Sequence, residues 1–119
     1  MKLIDIHTHT YPDAIAERAK IALEKFYVFE CEGKGTVGDL AQSSKKAEVS
    51  GMLLLSVATN PRQTKNVNLW AASAKADLVA RGFEAAAFGG IHQDSPDMAA
   101  DVEEIKALGL SGVKIHPDI

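Results

Sequence analysis

The 119 residues predict an α/β fold built on a parallel sheet. Short apolar segments alternate with amphipathic helical ones, and such alternation implies parallel strands joined by right-handed crossovers. The run at residues 52–57 is apolar on both faces, as expected of a strand covered on both sides. Finally, the polar residues capable of chemistry stand where strands end, which is where parallel α/β folds gather their ligands.

The first strand is Leu3-Ile4-Asp5-Ile6, ending in His7-Thr8-His9. A helix follows over residues 12–26, with Ile15, Ala19, Ala22, Leu23 and Phe26 at three and four spacing on one face. Thr36, with Asp39 three residues later, reads as a capping box opening a second helix that buries Leu40, Ala41 and Ala47 before Gly51. The second strand is Met52-Leu53-Leu54-Leu55-Ser56-Val57. Asn60-Pro61 opens a long helix through Trp70 to about Arg81, closed by Gly82. Trp70 is expected in the core, the usual place of an aromatic ring. The third strand, residues 85–91, ends at His92, and Ser95-Pro96 caps a helix whose apolar stripe is Met98, Val102, Ile105 and Leu108. Gly109 stops that helix. A fourth strand over residues 112–116 closes on Pro117, giving a βαβαβαβ order with one extra helix after the first strand.

Composition excludes several classes of function. Thirteen basic residues against 16 acidic ones leave no basic patch to neutralise phosphates, so no nucleic-acid partner is expected. No run approaches the roughly 18 apolar residues of a membrane span, so no membrane partner is expected either. A single cysteine, Cys31, forms no intramolecular disulfide, and Met1-Lys2 leads into a strand without a signal peptide's apolar core. The expected location is the cytoplasm. Cys31 lies between Glu30 and Glu32, without a cation to favour the thiolate, which argues against a nucleophile.

His7 and His9 share a strand face, about 6 to 7 Å apart along the chain, and two imidazoles so placed can meet one ion. Two exposed histidines at a strand end would give the same spacing. The coincidence of positions favours the metal reading: His7 and His9, then His92, then Lys114 and His116 all fall at carboxyl ends of strands. Lys114 and His116 also share a face by the period of two. Asp5, one step deeper, either orients a ligand histidine or bonds neighbouring backbone. Gly33, Gly35 and Gly38 match G-x-G-x-x-G, but no acidic residue stands about 20 residues on to hold a ribose. They read as a turn before the second helix.

The stretches Ile4-Asp5-Ile6-His7-Thr8-His9, Leu55-Ser56-Val57-Ala58-Thr59, Gly89-Gly90-Ile91-His92 and, above all, Ala107-Leu108-Gly109-Leu110-Ser111-Gly112-Val113-Lys114-Ile115-His116-Pro117 resemble the amidohydrolase superfamily, in particular its family 2 type of metal-dependent hydrolases. The resemblance covers essentially the whole chain. It implies a (β/α)8 TIM barrel with one or two divalent metals at the strand carboxyl ends, hydrolysing amides or esters of small-molecule substrates; some members decarboxylate acids instead. By that resemblance His7 and His9 are first-strand metal ligands. His116 is a further ligand or a substrate contact. Lys114 stands where some members carry a carboxylated lysine bridging two metals; an ion pair in the barrel mouth is its plainer role. His92 is a substrate-side residue, although Gln93 departs from the proline often found next in similar sequences. Zinc is the first expectation for imidazole ligands, with manganese or iron suited to a site finished by carboxylate.

An eight-stranded barrel takes about 250 residues. The chain thus reads as the N-terminal half of such a domain, residues 1–119 supplying the first four strands, apparently truncated. The later histidines and the aspartate that would serve as general base are expected beyond residue 119. A half barrel leaves its first and fourth strands as open edges, which invite pairing into a homo-oligomer.

Overall fold

The computed structural model describes residues 1–118. In chain order the elements are β1 (Leu3–Thr8), α1 (Asp13–Tyr27), α2 (Val37–Lys46), β2 (Val49–Leu54), a 3-10 turn (Pro61–Gln63) running into α3 (Thr64–Ala80), β3 (Glu84–Gly90), α4 (Met98–Ala107) and β4 (Gly112–Lys114). All strand pairings are parallel, in the spatial order β1-β2-β3-β4. The four strands curl into a half-barrel sheet. No helix among the described residues is long and apolar enough to cross a membrane.

The core lies between the sheet's outer face and three helices. Met52 and Leu54 of β2 and Ala87 of β3 meet Val37 and Ala41 of α2, Ala71, Ala74 and Leu78 of α3, and Ile105 of α4. Small residues dominate because helix and strand backbones approach closely there. A Cβ on Gly89 would stand 2.5 Å from Cγ1 of Ile105. By the period of two, the neighbours of the core-facing residues turn the other way. Gly51, Leu53, Ala86 and Phe88 line, with Ile4, a shallow depression of about 430 Å³ on the sheet's inner face. Phe88 leans across β4 so closely that a Cβ on Gly112 would lie 2.7 Å from its ring.

Helix starts follow their caps. Thr36 Oγ1 accepts the Asp39 N–H at 3.1 Å, while the Asp39 carboxylate reaches past the cap to the Lys34 N–H at 2.8 Å. Gly33 and Gly35 lie in an irregular bend before it, with Gly35 at φ +78° and its carbonyl accepting the Tyr11 N–H, whereas Gly38 lies inside α2 itself. Asn60 Oδ1 accepts the Arg62 N–H, so Pro61 opens a 3-10 turn before α3 proper. Trp70 packs against the core and donates its indole N–H to the Thr10 carbonyl at 3.0 Å.

Several details differ from the sequence expectation, among them the fourth strand, which ends at Lys114 and leaves His116 beyond it. The second strand begins at Val49 and ends at Leu54, three residues earlier than its apolar run. Glu48 takes a left-handed φ of 60°, which turns the chain from α2 straight into β2. Gly51 sits inside the strand, not at a helix end, because a Cβ there would come within 3.1 Å of the Glu84 carbonyl. The fourth helix starts at Met98, where Asp97 Oδ1 accepts the Ala100 N–H; the Ser95 hydroxyl instead bonds the Asp101 carboxylate. On α4 only Ile105 is fully buried, with Met98 and Val102 exposed, and Ala47 after α2 is exposed too. On α1 only Ala16 is fully buried, and Phe26 is 54 % exposed. The α1 stripe has the helical period but no sheet beneath it.

Candidate metal centre

The strand β1 delivers two imidazoles to one point. His7 Nε2 and His9 Nε2 are 3.0 Å apart, with ring centroids 5.0 Å apart and planes at 69°. Two nitrogens bound to zinc at about 2.0–2.1 Å would be roughly 3.3 Å apart at a tetrahedral angle and about 2.9 Å at a right angle. The observed spacing falls between these. The donor pair therefore fits a divalent cation as two of its ligands.

The arrangement is fixed by backbone. Leu55 has just left β2, where its N–H bonds the Thr8 carbonyl at 2.8 Å. Its own carbonyl stands 2.9 Å from His9 Nδ1. A carbonyl only accepts, so Nδ1 carries the proton and Nε2 presents its lone pair toward His7. The Thr8 hydroxyl between them turns to the other face and donates to the Leu53 carbonyl at 2.8 Å. The β1–β2 register shifts between Asp5 and Thr8, which re-aims the end of the strand. Asp5 pairs in register with core-facing Met52, and its carboxylate accepts the His7 N–H at 3.1 Å. Of the two roles open to Asp5, the structure shows the bond to neighbouring backbone.

Burial holds the pKa of His9 below its ordinary value, and the charges of His7, Lys114 and His116 press it further down against the Leu55 carbonyl, which raises it. The ring is flanked by protein even though its rim is exposed. Neutral imidazole is the form that donates a lone pair to a metal. Lys114 ends β4 at the opposite edge of the sheet and His116 follows two residues later.

The other sequence-derived candidates fall in two places. His116 lies in the neighbourhood of the pair, but its Nε2 is 2.5 Å from the Tyr27 hydroxyl, and its Nδ1 is buried with no hydrogen-bond partner. His92 is 5 % exposed and turned into its own turn: Nδ1 accepts the Asp94 N–H at 3.1 Å and its carbonyl accepts the Ser95 N–H. Among the described residues, no cluster of three or more His, Cys, Asp or Glu side chains comes together to hold an ion.

Two participants escaped the sequence reading. The Leu55 carbonyl has no side-chain signature; only the parallel pairing of β1 with β2 brings it to His9. Tyr27 ends α1, 89 residues before His116, so the helix carries its last turn to the far edge of the sheet. Its hydroxyl and the adjoining rings of Phe26 and Phe29 form the rim near β4. Tyr11 lies at the root of α1, where burial raises its pKa, helped by Cys31 and Tyr27. It is a neutral phenol at physiological pH. Comparison with known proteins gives no match to this chain, whether among family models, curated proteins or solved structures.

Proposed function

We propose that the chain carries the first-strand half of a divalent-metal centre, zinc by preference, in a (β/α)8 hydrolase of the amidohydrolase type acting on the amide or ester carbonyl of a small molecule. The observation that carries this reading is the 3.0 Å convergence of His7 Nε2 and His9 Nε2, with the His9 tautomer set by the Leu55 carbonyl. Such outer bonds to a ligand histidine orient the ring and raise its basicity. When bound, the ion would supply Lewis acidity, lowering the pKa of a water toward about 7 and polarising the substrate carbonyl.

The remaining steps belong to the protein's own residues. His9 keeps its lone pair available at neutral pH because its proton affinity is depressed. His7, which in the free protein donates its Nε2 proton to His9, would carry that proton on Nδ1 instead when its Nε2 serves as a ligand. Lys114, the last residue of β4, would hold an anionic group of the substrate. Tyr27 holds His116 by its Nε2, leaving Nδ1 turned inward as an unused polar atom. The reading requires further ligands and a general base besides this histidine pair.

Equilibrium dialysis of the untagged chain against zinc, beside a His7→Ala, His9→Ala double variant, tests the reading. One ion per site held by the parent and lost in the variant is the expected result. Equal zinc in both, with unchanged folding, would remove His7 and His9 from the site.

A further inference from the structure

We propose that Tyr27 withholds His116 from the candidate metal centre, its phenol occupying the Nε2 lone pair through which that histidine would otherwise join an ion held by His7 and His9. The proposal rests on the preceding reading of the pair as metal ligands, and it makes Tyr27 a positioning residue. Its first support is the bond itself. The Tyr27 hydroxyl and His116 Nε2 are 2.5 Å apart. A phenol is a far stronger acid than a neutral imidazole N–H, so the hydroxyl donates and Nε2 accepts. The neutral ring then carries its proton on Nδ1, which is buried without a hydrogen-bond partner. A metal ligand needs a bare lone pair, and neither nitrogen of His116 offers one. His9 has the same tautomer, set by the Leu55 carbonyl, but its Nε2 faces the other ligand of the pair.

The second support is how firmly the phenol is held. Its ring meets that of Phe26 edge-on, with centroids 4.8 Å apart, and that of Phe29 at 5.9 Å. Val28, the next residue, closes α1 in the left-handed conformation, at φ 56° and ψ 51°, with its N–H bonded to the Glu24 carbonyl. That region is strained for a β-branched side chain, and such strain persists only where surrounding contacts over-determine it. The end of α1 is thus held against its own backbone preference while it delivers Tyr27 to His116. His116 is near enough for its charge to lower the pKa of His9, yet among the described residues it does not complete a three-ligand cluster with the pair.

Tyr27→Phe removes the hydroxyl and keeps a ring that is 42 % exposed, so the fold is retained. Nitrogen-15 NMR of the histidine rings and calorimetric zinc titration of the untagged chain test the proposal. Without zinc, His116 should be protonated on Nδ1 in the parent and mainly on Nε2 in the variant. Stoichiometric zinc should leave the His116 ring signals in place in the parent but shift them in the variant together with those of His7 and His9. Because the bond to Tyr27 outweighs the third ligand in the parent, the variant's gain in affinity is bounded by the net worth of that bond, about two- to tenfold. In a His116→Ala background the same substitution should change nothing. A parent His116 protonated on Nε2, an affinity unaltered by Tyr27→Phe, or a gain of equal size without His116 would overturn the proposal. A parent that takes up no zinc would overturn the metal reading and this proposal with it, whereas zinc bound by all three histidines in the parent would overturn this proposal alone.

Discussion

Replacing Asn68 by leucine removes a clamp between α3 and β3 while keeping the number and branching of the side-chain heavy atoms. Asn68 is 1 % exposed; its Oδ1 accepts the Gly90 N–H at 2.7 Å and its Nδ2 donates to the Gly90 carbonyl at 3.2 Å. One amide thus satisfies both backbone groups of a residue 22 positions away, as a neighbouring strand would. Each buried backbone group left unpaired costs about 1–3 kcal/mol, hence roughly 2–6 for the two. Burying leucine in place of the amide returns about 1.5–3 kcal/mol. The net loss is on the order of 0.5–3 kcal/mol, a sizeable part of the roughly 5–15 kcal/mol that holds a domain folded. Urea unfolding followed by circular dichroism reads it as a lower midpoint at unchanged slope. The Gly90 amide should also exchange faster than in the parent. An Asn68→Leu protein as stable as the parent, with Gly90 still protected, would refute the clamp.

Gly89→Ala should destabilise the fold by about 1–3 kcal/mol, since its Cβ would meet Ile105 Cγ1 at 2.5 Å. Ile105→Ala in the same chain should recover part of that loss, and strictly additive midpoints would show that the two positions do not collide. The depressed pKa of His9 makes stability depend on pH in a definite sense. The unfolded state, with its imidazole near 6.5, takes up the proton first as pH falls. His9 therefore adds no pH dependence above about 6.5, and stability declines as pH drops from there through the lower folded value. Urea midpoints from pH 8 to pH 5, parent against His9→Ala, should diverge only in the acid range; curves that run parallel throughout would contradict the assignment.

The strands and helices were readable because local signals agreed with one another. Thr36 and Asp39, Asn60 and Pro61, and the glycines after α3 and α4 mark boundaries with side-chain chemistry that acts within a few residues. Where the reading slipped, a tertiary contact outranked the local pattern. Gly51 looks like a helix stop, yet it serves the close approach of Glu84 across the sheet. Phe26 has the spacing of a buried helix face, but nothing in the described chain lies under it. The site divides in the same way. The period of two was enough to expect His7 and His9 together, since His7 lies in β1 and His9 directly follows its last residue. His116 was legible as a strand-end histidine, but not its bond to Tyr27, because no periodicity links α1 to β4. His92 stood in the same kind of position and turned out to serve its own turn.

The convergence of His7 Nε2 and His9 Nε2 on one point is the central claim, and nitrogen-15 NMR of the histidine rings tests it most directly. In the free protein His9 should be protonated on Nδ1, as its bond to the Leu55 carbonyl requires. Stoichiometric zinc should then shift Nε2 of His7 and of His9 together while Nδ1 of His9 keeps its proton. A His9 ring protonated on Nε2, or zinc that leaves both Nε2 signals where they were, would contradict the account.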